Sequence, residues 1–354
     1  MEILETLDID NCAPASLALG TFDGLHLGHR AVLESALDSE YSPQVFTFKK
    51  SPSGDPALIT QEDKAAELSG MGIERVYSMD FHRLRDMEAE GFARDILLGR
   101  LNARRICCGE DFRFGRGARG NVELLSRLCK EYGAQLIVVP PVLDGGEKVS
   151  STRIRRAVAE GDISTASRLL GRPFGFTLEV IHGNHIGTGL GTPTINQALP
   201  EDLTLPRFGV YAAWCETESG RYYGVCNIGV KPTVGSDRVL AETWMPEFDG
   251  DLYGRRVRVE LMDFIRPERK FSSLDQLKEE IRRNAIRAKG RCSPARPHRT
   301  RRYSATRELC PGPKRSCRPQ AARPGSRSPS PVSRPPRRPR PLRLYQRGRP
   351  APWP

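Results

Sequence analysis

The chain has 354 residues and a formal net charge of +12, but the positive charge is unevenly distributed. Residues 285–354 contain 18 Arg, two Lys and one acidic residue, so the other 284 residues carry a net charge of −7. The length indicates two or three domains. The acidic balance of the main part argues against nucleic acid as its partner, and the absence of any run of 18 apolar residues excludes a membrane-spanning helix.

Residues 285–354 also hold 15 of the 28 prolines and show neither the helical nor the strand period. Such a segment cannot bury enough apolar surface to offset its ordering entropy, so we predict disorder. It is either a nonspecific polyanion-binding arm or an appendix unrelated to the chemistry, such as out-of-frame translation of a GC-rich gene. We favour the appendix.

The nine cysteines show no metal-ligand spacing. Buried free thiols in a reducing cytoplasm are their natural explanation. The first residues, Met1–Glu5, lack the basic and apolar regions of a secretory signal. We therefore expect a cytoplasmic protein.

The first 170 residues or so alternate short apolar strands with helical patterns. The predicted strands are Ser16–Leu19, Gln44–Phe48, Arg75–Ser78, Arg105–Cys108 and Gln135–Val139. The predicted helices are His29–Leu37, Gln61–Met71, Ala89–Leu101 and Val122–Tyr132. This alternation predicts a parallel sheet covered on both faces, with ligands at the carboxyl ends of its strands.

The run Leu17–His29 combines a buried strand, a glycine-rich turn and a helix that opens on two histidines. A turn of this kind presents backbone N–H groups and a positive helix end to a phosphate. His26 and His29 are three residues apart, so they share one helix face. Two imidazoles over a phosphate suit nucleotidyl transfer, in which charge builds on the α-phosphate. A His-x-x-His pair alone is weak evidence, but the preceding turn favours this function.

Two further segments belong to the same half. Gly109–Gly115 follows a predicted strand, which places it at the same edge of the sheet. Ser150–Thr152 precede a helix that carries Arg153 and Arg155, and caps, helix dipole and guanidinium groups together bind phosphate. By itself this pattern fits an N-capped basic helix equally well. Together with the histidine turn it predicts a second phosphate clamp.

After Gly171–Pro173 the pattern changes to closely spaced strands, which predict a small antiparallel barrel of about 110 residues. The predicted strands are Phe176–Ile181, Val210–Cys215, Tyr222–Ile228, Val239–Thr243 and Arg256–Phe264. One amphipathic helix follows at Ser273–Arg283, with Leu274, Leu277 and Ile281 on one face.

The barrel half contains two candidate catalytic features. Thr194 and Asn196 follow the glycine-rich stretch 187–191 and alternate, so in a strand their oxygens point the same way and suit a hydrated Mg²⁺. A loop with a turn-forming Asn is the alternative. Glu242 lies on a predicted strand, and a carboxylate on the interior side of a barrel strand suits a general base. Otherwise it is a solvated edge residue.

Taken together, residues 14–284 resemble the bacterial bifunctional riboflavin kinase/FAD synthetase family. In the first half the motifs that carry the resemblance are Gly20–His29, Gly109–Gly115 and Ser150–Arg155. In the second half they are Pro193–Asn196, Asn227–Thr233, Glu242–Thr243, Phe248–Gly254 and Ile265–Phe271. The resemblance implies an α/β protein in three parts. These are a Rossmann-like nucleotidylyltransferase domain (1–172), a small antiparallel β-barrel kinase domain with a terminal helix (173–284) and a disordered tail (285–354).

The resemblance also implies two successive ATP-dependent reactions. The barrel phosphorylates riboflavin to FMN, and the first domain transfers AMP from ATP to FMN, which gives FAD and pyrophosphate. The implied ligands are riboflavin, FMN, ATP and Mg²⁺. We expect a monomer or weak oligomer, with neither nucleic acid nor a membrane as a partner of the folded body.

The family's functional residues carry over by position. The catalytic residues would be His26, His29 and Glu242, with the two histidines on the phosphates of ATP and the carboxylate accepting the hydroxyl proton of riboflavin. In the first domain, ATP would contact Gly20, Phe22, His26, His29, Ser151, Thr152 and Arg155. There the flavin would contact Asp23, Asp111, Phe112 and Phe114. In the kinase, ATP would contact Gly187, Pro193, Thr194 and Asn196, with Thr194 and Asn196 as the Mg²⁺ ligands.

The chain departs from the family pattern in four places: Thr188 replaces Arg, Thr192 replaces Phe, Trp244 replaces His, and Phe48–Pro52 stands where the family usually reads Phe-x-Pro-His-Pro. Loss of a cation and an aromatic ring from a flap over ATP predicts a raised KM. One alternative is therefore a monofunctional FMN adenylyltransferase with a degenerate kinase half. Another is a nucleotidylyltransferase for a pantetheine phosphate or nicotinate nucleotide, and a third is a nucleic-acid-binding protein acting through its tail.

Overall fold

The computed structural model describes residues 1–8, 13–183, 192–233 and 236–292. The predicted flap residues Gly187 and Thr188 lie outside these ranges, and so does the Arg/Pro-rich segment after residue 292.

The N-terminal half is built on a parallel sheet, as predicted, and this sheet has six strands. In chain order the strands are β1 (Glu2–Leu4), β2 (Ala15–Leu19), β3 (Ser42–Phe48), β4 (Arg75–Met79), β5 (Ala103–Gly109) and β6 (Gln135–Val139). Their spatial order is β1-β4-β3-β2-β5-β6, and every neighbouring pair is parallel. The sequence pattern did not predict β1, a three-residue edge strand whose Glu2 pairs with Arg75 at 2.7 Å.

Helices cover both faces of this sheet. They are α1 (Leu27–Leu37), α2 (Gln61–Gly70), α3 (Ala89–Gly91), which continues as a π-helical segment (Phe92–Arg100), and α4 (Val122–Glu131). Two further helices, α5 (Ser151–Glu160) and α6 (Ile163–Leu170), bury their apolar side chains against the C-terminal half. A short hairpin, β7 (Leu143–Asp144) and β8 (Glu147–Lys148), precedes α5. Because side chains alternate along a strand, Leu17 and Leu19 join the core under the π-helical segment and α4. Ala18 joins the core under α1 and α2.

The C-terminal half is an antiparallel barrel. Its strands are β9 (Phe174–Glu179), β10 (Thr194–Ala198), β11 (Gly209–Thr217), β12 (Gly220–Thr233), β13 (Ser236–Trp244) and β14 (Arg256–Arg266), in the spatial order β10-β13-β12-β11-β14-β9. The two edges meet just after β9, where the Ile181 N–H donates to the Asn196 carbonyl at 2.8 Å. Gly175 permits the close approach of β9 and β14, because a Cβ there would collide with the Val259 carbonyl oxygen.

The last described helix, α7 (Leu274–Arg291), packs on the outer face of the barrel. Ala288 and Cys292 are buried against Val210 and Ala212. This burial extends the helix well beyond the predicted end at Arg283. Residues 285–291, which composition had assigned to the tail, are therefore helical.

The two halves share one hydrophobic core. Ile154 of α5 and Leu169 of α6 belong to the same buried cluster as Phe174 and Phe176 of β9. Polar contacts join α2 to the barrel as well: the Asp63 carboxylate accepts the Thr177 N–H at 3.0 Å and lies 3.6 Å from Arg258. The elements that carry the motifs of the first half are thus anchored on the second.

Candidate active sites

A cavity of about 800 Å³ lies at the carboxyl ends of the parallel strands. Its wall includes the residues that directly follow β2, β5 and β6, namely Gly20, Glu110 and Pro140. We call the part of its wall formed by His26, Gly28, His29, Lys148, Ser150 and Ser151 the histidine end. We call the part formed by Phe46, Phe48, Phe81, Phe92, Phe112 and Phe114, whose rings contact one another, the aromatic end. The three motifs of the N-terminal half therefore meet around one space.

The two histidines form a stacked pair. His26 is the N-cap of α1, and its Nδ1 accepts the backbone N–H of His29 at 3.2 Å. The ring centroids are 3.6 Å apart and the ring planes are nearly parallel. Because Nδ1 of His26 is an acceptor, the neutral ring carries its proton on Nε2. The buried Nδ1 of His29 has no hydrogen-bond partner among the described residues.

Both rings are neutral near pH 7 when no anion is bound. Burial, helped by the positive charge of Lys148, lowers the pKa of His26 to about 4. Burial also lowers the pKa of His29 well below its usual value, and His26, Lys64 and Lys148 lower it further. The His26 ring thus offers its Nε2–H as a donor, and a bound polyphosphate would favour the protonated form of both rings.

Two helix N-termini adjoin the histidine end. Gly28 and His29 belong to the first turn of α1, whereas Ser150 caps α5 by accepting the Arg153 N–H at 3.3 Å. Ser151 joins α5 to the turn that precedes α1, since its Oγ donates to the Asp23 carbonyl at 3.0 Å. Free backbone N–H groups and the positive ends of two helix dipoles make this end suited to an anion.

Three of the site residues predicted for the first half are not among the described residues that line this cavity. Arg155 forms an ion pair with Asp23 at 2.5 Å, and its Nε donates to the Pro56 carbonyl at 2.7 Å. The other Asp23 oxygen accepts the Leu58 N–H at 2.7 Å. Burial raises the pKa of Asp23, and its contacts with Leu58 and Arg155 oppose that rise. Thr152, the third residue, is exposed on α5.

The aromatic end provides flat apolar walls. Phe112 and Phe114 stack with their ring centroids 5.6 Å apart, and Phe46 meets Phe92 edge to face at 5.4 Å. Asp111 lines the same cavity and pairs with Lys148, whose hydrogen bond holds the pKa of Asp111 below its usual value. Lys148 was not among the predicted site residues, although it stands two residues before the serine motif.

The unusual segment Lys49–Pro52 contributes to this wall through Pro52. Its two lysines form ion pairs with residues outside the cavity wall: Lys49 pairs with Glu5 at 2.6 Å, and Lys50 lies 3.7 Å from Asp202.

The barrel residues singled out from the sequence meet on its outer face. Glu242 stands directly opposite Asn196 of β10 and opposite Asn227 of β12. Residues opposite each other in register share a face of the sheet. Ala241, the preceding residue, lies in the barrel core. The sequence left open whether Glu242 lies on the interior side, and strand alternation places its side chain on the outer face.

The face around this carboxylate carries polar residues, a glycine and Trp244. The side-chain amide of Asn227 donates to the Glu268 carboxylate at 3.3 Å. This carboxylate lies over Gly229, where an added Cβ would collide with the Glu268 oxygen. Thr194 of β10 stands opposite Trp244 of β13, two residues along each strand from the Asn196–Glu242 pair. Thr192 is buried and Pro193 is exposed just before β10.

Comparison with known proteins identifies both halves. A family model described as riboflavin kinase matches residues 170–291, and one described as FAD synthetase matches residues 8–153. The bifunctional riboflavin kinase/FMN adenylyltransferase of Escherichia coli K12 is 34% identical over 286 residues, which are 77% of this chain and 91% of that protein. The chain belongs to the bifunctional riboflavin kinase/FMN adenylyltransferase family.

Another member of this family, from Pseudomonas fluorescens, is 35% identical over 289 residues and matches 78% of this chain and 93% of its own. A solved structure described as a macrolide-efflux protein from Streptococcus pneumoniae superposes with a TM-score of 0.73 and 29% identity. The superposition covers 81% of this chain and 98% of that one. Both likenesses extend over the two halves.

As a member of this family the chain is a transferase with two activities, riboflavin kinase and FMN adenylyltransferase. Riboflavin, FMN and ATP are its substrates. The presence of both modules supports the bifunctional prediction over the alternatives with a single activity. Within the described ranges, no helix has the length and apolar character needed to cross a bilayer.

The low pKa of His26 predicts a specific dependence of stability on pH. The unfolded ring gains its proton near pH 6.5 and the folded ring only near pH 4, so its contribution to stability is complete above pH 6.5 and is lost as the pH falls to 4. The test is His26→Asn, which keeps a capping side chain. The free energy of unfolding in urea should fall between pH 7 and pH 4.5 in both proteins, and the fall should be roughly 2–3 kcal/mol smaller in the variant than in the wild type. The control is His82→Asn at an exposed site. Equal losses in all three proteins would show that the His26 ring titrates alike in the folded and unfolded chains.

Proposed function

We propose that AMP passes from ATP to FMN within the cavity of the parallel-sheet module. The phosphates of ATP would lie at the histidine end, and the flavin ring of FMN at the aromatic end. One observation carries this assignment: the stacked histidines and two helix N-termini line the same cavity as six phenylalanines that contact one another. A cavity of this volume holds ligands of this size.

In this proposal an oxygen of the FMN phosphate attacks the α-phosphorus of ATP. The bond from that phosphorus to the bridging oxygen of the β-phosphate breaks, and pyrophosphate leaves. The N–H groups of His26 and His29 donate to phosphate oxygens, where charge builds in the transition state. The backbone N–H groups at the start of α5 hold the leaving pyrophosphate, and Lys148 offsets its charge. Arg155 acts indirectly, since it fixes Asp23 of the turn.

For the kinase reaction we propose Glu242 as the general base. Its carboxylate takes the proton of the ribityl 5′-hydroxyl while that oxygen attacks the γ-phosphorus of ATP and ADP leaves. A base must lie within hydrogen-bond reach of the proton that it removes. Glu242 is half-buried on the outer face, whereas the barrel interior is filled by apolar side chains.

The oxygen donors on this face fit Mg²⁺. Thr194 provides a hydroxyl and Asn196 an amide oxygen, and Asn196 stands opposite the Glu242 carboxylate. Mg²⁺ keeps several waters and takes few protein oxygens beside substrate phosphates. We propose that Thr194 and Asn196 hold it together with ATP, where it neutralises phosphate charge.

We also propose that the enzyme works in the reducing cytoplasm. The six cysteines of the described ranges are free and buried. Burial raises the pKa of Cys108 to about 12, which keeps this thiol unreactive. The expectation of a monomer or weak oligomer stays a prediction.

Substitution of the proposed base should separate the two activities. We expect Glu242→Gln to lower riboflavin phosphorylation by about 10²–10⁴-fold, because the hydroxyl loses its proton acceptor. FMN adenylylation should not change. The matched control is Glu247→Gln, an exposed carboxylate paired with Lys289. Rates of FMN and FAD formation, measured by chromatography from riboflavin and from FMN, provide the comparison. An equal fall of both activities would refute the assignment of Glu242.

The opposite separation is expected at the histidine end. His29→Asn should lower FMN adenylylation by about 10²–10³-fold, because a donor to the transition-state phosphate is lost. The kinase rate should stay at the wild-type level. His82→Asn again serves as the exposed control. If His29→Asn adenylylates FMN at the wild-type rate, the phosphates of ATP do not bind at the histidine end.

A further inference from the structure

The turn between β2 and α1 has a strained backbone. Phe22 and Leu25 have φ values of 50° and 48°, and both side chains are buried. The left-handed region is unfavourable for residues with bulky side chains. Such a conformation persists only where surrounding groups impose it. The groups that hold this turn therefore decide where the histidine end places its donors.

Side chains from other elements bind the carbonyl groups of this turn. The Thr21 carbonyl accepts the Lys64 ammonium at 2.7 Å and the Thr47 hydroxyl at 2.8 Å. The Gly24 carbonyl accepts Arg172 at 3.0 Å, and the Leu25 carbonyl accepts Arg30 at 3.3 Å. Thr21 is the one of these three carbonyl residues that lies on the described cavity wall.

Lys64 is an unusual member of this set because its charge is buried. It lies in the first turn of α2 and only 5% of it is exposed. Its ammonium also lies 2.8 Å from the Thr47 hydroxyl. Burial lowers the pKa of Lys64 to about 8, and the charge of Asp23 opposes this fall. A side chain that merely filled the space would be apolar, since burying a charge is costly.

The helix that carries Lys64 is itself anchored on both sides. Its neighbour Asp63 is bound to Thr177 and lies beside Arg258 of the barrel. One turn further on, Glu67 pairs with Arg30 of α1 at 2.8 Å and with Arg172 at 3.3 Å. Lys64 therefore binds the Thr21 carbonyl from a helix that is itself held in place.

We propose that Lys64 is a positioning residue for adenylyl transfer. Its ammonium anchors the Thr21 carbonyl from behind the turn, so that the backbone of the turn and the rings of His26 and His29 stay aligned for the phosphates of ATP. This inference rests on the proposed placement of the triphosphate at the histidine end. Lys64 lies outside the described cavity wall, so it acts through the turn and does not touch the substrate.

The test is Lys64→Met, which keeps the length of the side chain and removes its charge and its hydrogen bonds. The matched control is Lys130→Met, an exposed lysine on α4. We expect kcat/KM for ATP in FMN adenylylation to fall about 10–100-fold, because a small misplacement of binding groups has an effect of this size. The KM for FMN and the riboflavin kinase rate should stay within about twofold of the wild type.

Thr47→Val supplies a second, nearly isosteric variant, because it removes the other donor to the Thr21 carbonyl. We expect a smaller fall in kcat/KM for ATP. If both side chains act through this carbonyl, their effects in the double variant should be non-additive. Purely additive effects would contradict the shared route.

Three further results would decide the matter. If Lys64→Met adenylylates FMN at the wild-type rate while His29→Asn is inactive, the positioning role is overturned and the proposed site stays intact. Wild-type rates for both variants would refute the proposed site itself. A parallel fall of both activities with the folded fraction, followed by circular dichroism, would make Lys64 merely structural and would also overturn the inference.

Discussion

The histidine end depends on a turn that cannot hold its own conformation. Phe22 and Leu25 are buried in the left-handed region, so the surrounding structure has to impose the path of the chain from β2 into α1. Lys64, Thr47, Arg172, Arg30 and Ser151 do so by binding its carbonyl groups. The donors aimed at the cavity are consequently fixed before any ligand arrives. Such preorganisation is what phosphoryl and nucleotidyl transfer require, because positioning and electrostatics supply most of their acceleration.

The same contacts join the two modules. Arg172, which binds the turn, stands two residues before β9 of the barrel, and Asp63 of α2 binds Thr177 of that strand. Helices α5 and α6 share a hydrophobic core with the barrel interior. The kinase module is thus part of the support of the adenylylation site. Its own candidate residues lie on the outer face of the barrel, around the register of Asn196, Glu242 and Asn227.

Much of this was predictable because strong local patterns dominate it. Apolar runs and glycine-rich turns located the strands β2 to β6 and the histidine pair, and the family motifs located both modules. The face of its strand that Glu242 occupies could not be predicted, because spacing alone does not tell which face of a strand points inward. Lys64 escaped notice because a lone lysine in a helix is normally solvated, and its burial arises only when β3 and the turn pack over it. Arg155 was assigned to phosphate from its place near a helix start, a pattern that does not reveal its partners Asp23 and Pro56.

The central claim is that one chain holds two working sites that act in sequence. The most direct test incubates the purified full chain with riboflavin, ATP and Mg²⁺ and resolves riboflavin, FMN and FAD by chromatography over time. The structure predicts that FMN appears first and that FAD then forms at its expense. FAD formed only when FMN is supplied would contradict the kinase site. No conversion from either flavin would contradict both.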